Sequence, residues 1–461
     1  MKKNKSGGFY FEFKNSKIDD SPLFFFEDKI CTRVEFLSMI ESKSGLQNLA
    51  NNKTILVWIR DPLCLVTTIF ALDQYAEKIV IIPTESSLAL VSNFYKLSDA
   101  AILLSDIDDA KELDFPLVNP ALDFDETSLS LSTNKTTKIL IGTSGTTGTP
   151  KLAVHDFNSI SKATKRDSNK GAEVRWGLLY DPARFAGIQV VTQAILGGSS
   201  LVFPSLSGKL EDTLSFFSRV GVNALSATPT LWRKILIHNC DKLSLKIITL
   251  GGEISDKQIL GNLSRRFKNS KIQHIYASTE AGVGFSVTDG MEGFPVEWLV
   301  SPPGGIELKI DCDSQLLIKS KGSALSYVNS DLDYTDGWLQ TGDAVQIVDG
   351  RVLFCGRING AINIGGDKVF PEDIEKVIRS HHACATVLIS SKKSSITGSL
   401  VIAHVILNEG FIGDSVLKKE IIEHCRRHLK AFAVPAFIYF VDDIPFNSAT
   451  GKLDRNHESR R

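Results

Sequence analysis

The chain has 461 residues, 43% of them hydrophobic and 23% charged, and a net charge of −1. That length exceeds what one core sustains, so two or three domains are expected, and scattered Lys and Arg exclude a nucleic-acid partner recognised by a basic patch. Seven cysteines stand far apart without a C-x-x-C pair, which fits a reducing compartment and argues against a disulfide framework or a zinc site.

The basic start, Met1-Lys2-Lys3-Asn4-Lys5, is followed by no apolar core, so no signal peptide is expected. Residues 24–28 read as a strand and 33–42 as a short helix. The apolar stretch 54–72 contains Arg60 and Asp61 and reads as a strand followed by a helix, not as a membrane span. A soluble, cytoplasmic protein is expected. Strands at 55–59, 79–82 and 101–104 alternate with helices at 63–75 and 87–97, the pattern of a parallel sheet covered on both faces. The polar residues 106–137 are expected to cross to the next sheet.

A second doubly wound unit follows. Its strands are expected at 176–180, 201–203, 224–227, 246–250 and 272–276, and its helices at 158–164, 188–196, 212–219 and 230–237. Ligands of such sheets sit beyond the carboxyl ends of the strands. Short apolar runs between 298 and 356, broken by Gly, Pro and Asp, predict a small antiparallel barrel or sheet. From 360 the character changes. Pro371 suits the first position of a helix, with Glu372 and Asp373 favourable in its first turn. Strands at 386–389, 401–407 and 437–441 and a helix at 415–428 complete a separate α+β unit. His381 and His382 read as neighbours pointing apart on a solvated surface.

The informative stretch is Gly142-Thr143-Ser144-Gly145-Thr146-Thr147-Gly148-Thr149-Pro150-Lys151, directly after the apolar run 138–141. Glycines let successive N–H groups face one side, and such a concavity with hydroxyls suits polyphosphate oxygens. Lys151 adds a positive charge. The spacing is not that of Walker A.

This loop resembles the phosphate-binding signature of the adenylate-forming superfamily, which includes acyl- and aryl-CoA synthetases. Tyr276-Ala277-Ser278-Thr279-Glu280, Thr341-Gly342-Asp343, Gly356-Arg357, Gly365-Gly366 and Thr450-Gly451-Lys452 match the same family in order. The resemblance runs from about residue 50 to the end. It implies an α/β protein: a large N-terminal domain, 1–357, of two doubly wound sheets plus a small β-barrel, and a mobile small α+β C-terminal domain, 358–461.

The implied reaction activates a small carboxylic acid with ATP and Mg²⁺ as an acyl-adenylate, then passes it to a pantetheine thiol. That thiol belongs to coenzyme A or, alternatively, to an acyl carrier protein; a non-catalytic nucleotide-binding relative is a distant alternative. By resemblance Thr143, Ser144, Gly145, Thr146, Thr147, Gly148 and Lys151 hold the β- and γ-phosphates. Tyr276 stacks on adenine, with Gly251-Gly252 at its other face and His274 either near its edge or simply a strand residue. Thr279 contacts the α-phosphate, Glu280 holds Mg²⁺, and Asp343 and Arg357 bind the ribose. Lys452 is the adenylation lysine. Gly365 and Gly366 line the pantetheine tunnel in the thioester-forming state, and Asn359 stands at the hinge, where Asp or Lys is usual.

The acyl pocket departs most from the family pattern. In Tyr180-Asp181-Pro182-Ala183-Arg184-Phe185-Ala186-Gly187, Arg184 occupies the place of a usual aromatic or His. A buried Arg is costly unless paired. Arg184 therefore either pairs with Asp181 or faces a polar or acidic substrate group, beside Phe185. Ala277, where the family commonly has glycine, makes the pocket floor shallower. The acid itself and the oligomeric state are not readable from the sequence.

Overall fold

Short apolar runs, buried on both faces, form the centres of two mixed sheets. The structure is a computed structural model that describes residues 7–121, 136–143, 151–205, 207–238, 242–364, 367–394, 398–444, 446–447 and 452–453. Ser144, Gly145, Thr146, Thr147, Gly148, Gly365 and Gly366 lie outside the described residues.

The first sheet has seven strands, in the order Ser326–Tyr327, Leu152–Asp156, Lys138–Gly142, Lys78–Ile81, Thr54–Trp58, Ile102–Ser105 and Leu117–Val118. Thr54–Trp58, Lys78–Ile81, Ile102–Ser105 and Lys138–Gly142 pair in parallel, the arrangement that demands cover on both faces. The strands on either side of 106–137, Ile102–Ser105 and Lys138–Gly142, lie in one sheet, so the expected crossing to the next sheet is not made. Leu117–Val118 adds at one edge, and Lys138–Gly142 returns beside Lys78–Ile81. The reason is the strand Leu152–Asp156, masked in sequence by polar His155 and Asp156. It pairs antiparallel with Lys138–Gly142 and satisfies that strand's other edge.

The second sheet has eight strands, in the order Gly282–Val287, Lys271–Ser278, Ile247–Gly251, Ala224–Ala227, Arg175–Leu178, Ser200–Val202, Pro22–Phe25 and Ile30–Thr32. Its inner six strands are parallel and the two outer ones antiparallel. The early strand Pro22–Phe25 thus belongs here, beside Ser200–Val202. The helix Phe185–Leu196 packs on this sheet. A Cβ on Gly187 would fall 2.0 Å from the Asp181 carbonyl oxygen, so glycine alone lets the preceding turn fold back on the helix.

A six-stranded antiparallel sheet follows, with main path Phe294–Pro295, Arg351–Arg357, Trp338–Val348, Gln315–Lys319 and Glu307–Ile310. Its two outer strands do not pair with each other among the described residues, so the expected barrel stays open there. In the C-terminal unit Cys384–Ser394, Gly398–Leu407 and Phe437–Phe440 form one sheet beneath the helices Pro371–Arg379 and Ser415–His428. His381 and His382 do not point apart: they occupy a turn, their rings 4.6 Å apart, and His381 is buried against His424. Among the described residues no helix is long and apolar enough to cross a membrane.

The C-terminal unit meets the large domain through a buried charge cluster. Asp256 caps the helix Lys257–Arg266, its Oδ1 accepting the Ile259 N–H at 2.9 Å. Its Oδ2 accepts from Arg233 at 2.6 Å and from Arg379 of the C-terminal unit at 3.3 Å. Glu375 lies 3.6 Å from Arg379, and the Arg379 carbonyl accepts from Gln258. Burial works against the Asp256 charge, and the two guanidiniums more than offset it, holding the carboxyl below its usual range. Removing one partner of such a cluster leaves buried charge unpaired. Asp256→Ala is expected to lower stability by about 3 kcal/mol in chemical denaturation. An unchanged midpoint would show that the cluster carries no net stability.

Candidate active site

Strand ends from both sheets open on one cavity of about 1590 Å³. That exceeds the roughly 300–1,000 Å³ that encloses a drug-sized ligand, and it leaves room for a nucleotide and a second substrate together. Thr143, Lys151, Thr279, Glu280, Gly251, Gly252, Gly342 and Arg357 line it, as do Tyr180, Arg184, Phe185, Ala277 and Asn359. The motif residues therefore converge from positions far apart in the chain.

The phosphate loop joins two antiparallel strands, Lys138–Gly142 and Leu152–Asp156. Its base is closed by the Thr143 N–H donating to the Lys151 carbonyl at 2.8 Å. The Lys151 ammonium sits 4.7 Å from the centre of the Tyr327 ring. The Tyr327 hydroxyl donates to Glu280 Oε1 at 3.0 Å, and the Glu280 carbonyl accepts from the Ala324 N–H at 2.8 Å. Burial, followed by the Glu280 charge, raises the Tyr327 pKa, so the phenol stays protonated as a donor. Mg²⁺ takes one or two carboxylates together with phosphate oxygens and waters, which the single Glu280 fits.

His155 belongs to the site although no motif points to it. It is fully buried, and its Nε2 lies 2.7 Å from the Thr279 carbonyl oxygen. A carbonyl only accepts, so Nε2 carries the proton and Nδ1 faces the Ser159 hydroxyl at 3.1 Å. Burial lowers the His155 pKa, in keeping with this neutral form. The same ring stacks on Phe185, 5.2 Å between centroids.

Alternation along Lys271–Ser278 sends Gln273, Ile275 and Ala277 to the cavity and His274 and Tyr276 to the other face. His274 bonds the Met291 carbonyl at 2.9 Å, the plain strand role. Tyr276 does not line the cavity. Its ring lies nearly parallel to Phe285 and Phe354, and its hydroxyl donates to Asp343 Oδ2 at 2.6 Å. Asp343 Oδ1 pairs with Arg357 Nε at 3.0 Å. The three polar groups assigned to the nucleoside thus bond one another. Gly252 has φ +81°, a conformation that favours glycine. Gly251 has room for a Cβ, which would meet nothing closer than 3.8 Å within the protein. The main chain at Lys452 pairs with Phe446–Asn447 and lies against the helix Pro229–Ile237, whose N-cap Thr228 lines the cavity.

A family model described as AMP-binding enzyme matches residues 66–318, over half the chain, and one for the AMP-binding enzyme C-terminal domain matches 373–452. The chain belongs to the AMP-binding enzyme family. Among similar proteins, a 2-succinylbenzoate–CoA ligase of Bacillus subtilis (strain 168) is 27% identical over 344 residues, covering 69% of this chain and 68% of the relative. A 4-hydroxybutyrate–CoA ligase of Metallosphaera sedula is 26% identical, covering 68% of this chain and 60% of its own. The solved anthranilate CoA ligase AuaEII, in complex with anthranoyl-AMP, shares the fold at TM-score 0.82 and 20% identity, covering 99% of this chain and 97% of that one.

For this AMP-binding enzyme, Tyr327 is a site residue that the motifs do not single out. A hydrogen bond to a charged group is worth about 1.5–3 kcal/mol. Tyr327→Phe keeps the ring beside Lys151 and removes the bond to Glu280. It is expected to lower kcat/KM for ATP about 10-fold and to raise the Mg²⁺ concentration needed for half-maximal rate. A variant with the wild-type Mg²⁺ dependence would show that the hydroxyl does not orient Glu280.

Proposed function

We propose that this enzyme is an acid–thiol ligase that uses ATP and Mg²⁺ to activate a carboxylic acid as its acyl-adenylate and then transfers the acyl group to coenzyme A. The observation that carries the reading is the shared cavity. It places Lys151, Thr279 and Glu280 in the same space as the pocket walls Tyr180, Arg184 and Phe185. A carboxylate bound against those walls would face the phosphate end without leaving the protein.

In this reading Glu280 would hold Mg²⁺, which would supply charge neutralisation on the phosphates when bound. The chain's own groups do the rest. Lys151 and the Thr143 end of the loop hold the outer phosphates, and Thr279 contacts the α-phosphate. His155, by fixing the Thr279 carbonyl, orients that residue. Asp343 and Arg357 turn from each other to the ribose hydroxyls. Lys452 carries a positive charge to the carboxylate and α-phosphate during attack. Gly365 and Gly366 line the path of the pantetheine arm, with the C-terminal unit pivoting near Asn359. Relatives named as CoA ligases support coenzyme A as acceptor over a carrier protein.

The test is release of AMP and pyrophosphate across a panel of acids, each offered coenzyme A or a pantetheinylated carrier. Acid-dependent AMP release with a coenzyme A thioester as product is expected. ATP cleavage indifferent to the acid would contradict the proposal, and thioester on the carrier alone would replace the acceptor. Lys452→Ala is expected to lower acid-dependent pyrophosphate exchange about 100-fold or more while sparing thioester formation from supplied acyl-adenylate. Equal loss of both would give Lys452 a structural role.

A further inference from the structure

The acyl side of the cavity has a polar floor. Ser226 lies opposite Thr249, and Thr249 opposite Gln273, in the register of three adjacent strands, and all three line the cavity. Gln273 Nε2 donates to Thr249 Oγ1 at 3.0 Å, and the Ser286 hydroxyl donates to Gln273 Oε1 at 3.3 Å. An entirely apolar acyl chain would bury these groups without replacing their water.

Two donors on the same walls lack hydrogen-bond partners among the described residues. Trp176 is 9% exposed, and its buried Nε1 makes no hydrogen bond among the described residues. A buried indole N–H ordinarily finds one. The same chain supplies the comparison: Trp58 donates to the Thr84 carbonyl at 3.2 Å and Trp232 to the Thr249 carbonyl at 2.9 Å. The second donor is Arg184. Its Nε is buried without a hydrogen bond, and its ion pair is a loose one, 3.8 Å to Asp181 Oδ2, an oxygen itself without a hydrogen-bond partner. A pair serving structure alone would close to hydrogen-bond distance, because a buried guanidinium is costly otherwise. Eight cationic side chains and three carboxylates line the cavity among the described residues, so the surroundings favour an anion.

We infer that the acid activated here carries a second carboxylate, bound by the Arg184 guanidinium, with the Trp176 N–H as a further donor to the acyl chain. The planar fork of arginine matches a carboxylate through two parallel bonds. This assignment rests on the ligase reading and names its substrate class. It also accounts for an Arg where the family pattern has an aromatic or His.

The test compares succinate, glutarate and phthalate with their monoamides, which keep the shape and remove the second charge. The readout is ATP–pyrophosphate exchange. At least one diacid is expected to exceed its monoamide in kcat/KM by about 10-fold or more, as expected when a buried donor must be satisfied. Arg184→Leu is expected to remove that preference by raising KM for the diacid more than for the monoamide, bringing the two kcat/KM values within about twofold of each other. Arg184→Lys, which keeps charge without the fork, is expected to fall between. Trp176→Phe is expected to lower kcat/KM for both about threefold to tenfold. Equal use of diacids and monoamides by the wild type would overturn the inference while leaving the ligase reading intact. So would a diacid preference that survives in Arg184→Leu; should that variant not fold, survival of the full preference in Arg184→Lys decides likewise. Exchange with no acid at all would overturn the ligase reading, and the inference with it.

Discussion

The site depends on how the turn holding Thr279 and Glu280 is pinned. That turn follows a strand of the eight-stranded sheet, yet the groups that hold it come from the seven-stranded one. His155 donates to the Thr279 carbonyl, and Tyr327, from the strand paired to Leu152–Asp156, donates to the Glu280 carboxylate. The seven-stranded sheet also carries both ends of the phosphate loop. Two hydrogen bonds between the sheets thus fix the distance from the loop to the carboxylate. Preorganised charges of this kind need no rearrangement when the reaction begins.

Much of the scaffold is legible in the sequence. Apolar runs ended by Gly or by polar turns locate the parallel strands, and Pro371 with its following acids locates a helix start. The connection 106–137 misleads because Leu152–Asp156, which pairs with the other edge of Lys138–Gly142 in the same sheet, carries polar residues that hide its pairing. His381 and His382 mislead because the rule that neighbours diverge holds inside a helix or strand, not in the turn they occupy. Tyr276 is identified by motif, but a motif does not say which face of a strand its residue takes. Strand alternation turns this ring towards Phe285 and Phe354. His155, Tyr327 and Trp176 lie beyond sequence reading. His155 acts through Thr279, over a hundred residues away, Tyr327 through Glu280 on another strand's end, and Trp176 through an indole N–H without a hydrogen-bond partner among the described residues.

The buried charges divide by how well they are matched. Asp256 meets two guanidiniums at hydrogen-bond distance and also caps a helix, so its cluster ties the C-terminal unit to the large domain in the arrangement seen here. In the proposed reaction, a domain that turns between the two halves must give up those bonds and recover comparable ones. Arg184, by contrast, is half-matched within the protein. In the proposed reaction the first serves as a joint between domains and the second as a place for a ligand.

The most direct measurement of the central claim is a crystal structure of the enzyme with ATP and Mg²⁺. Phosphates are expected between the loop 143–151 and Thr279, the cation on the Glu280 carboxylate, and the Tyr327 hydroxyl still bonded to that carboxylate. A nucleotide bound elsewhere, or a cation held away from Glu280, would contradict it.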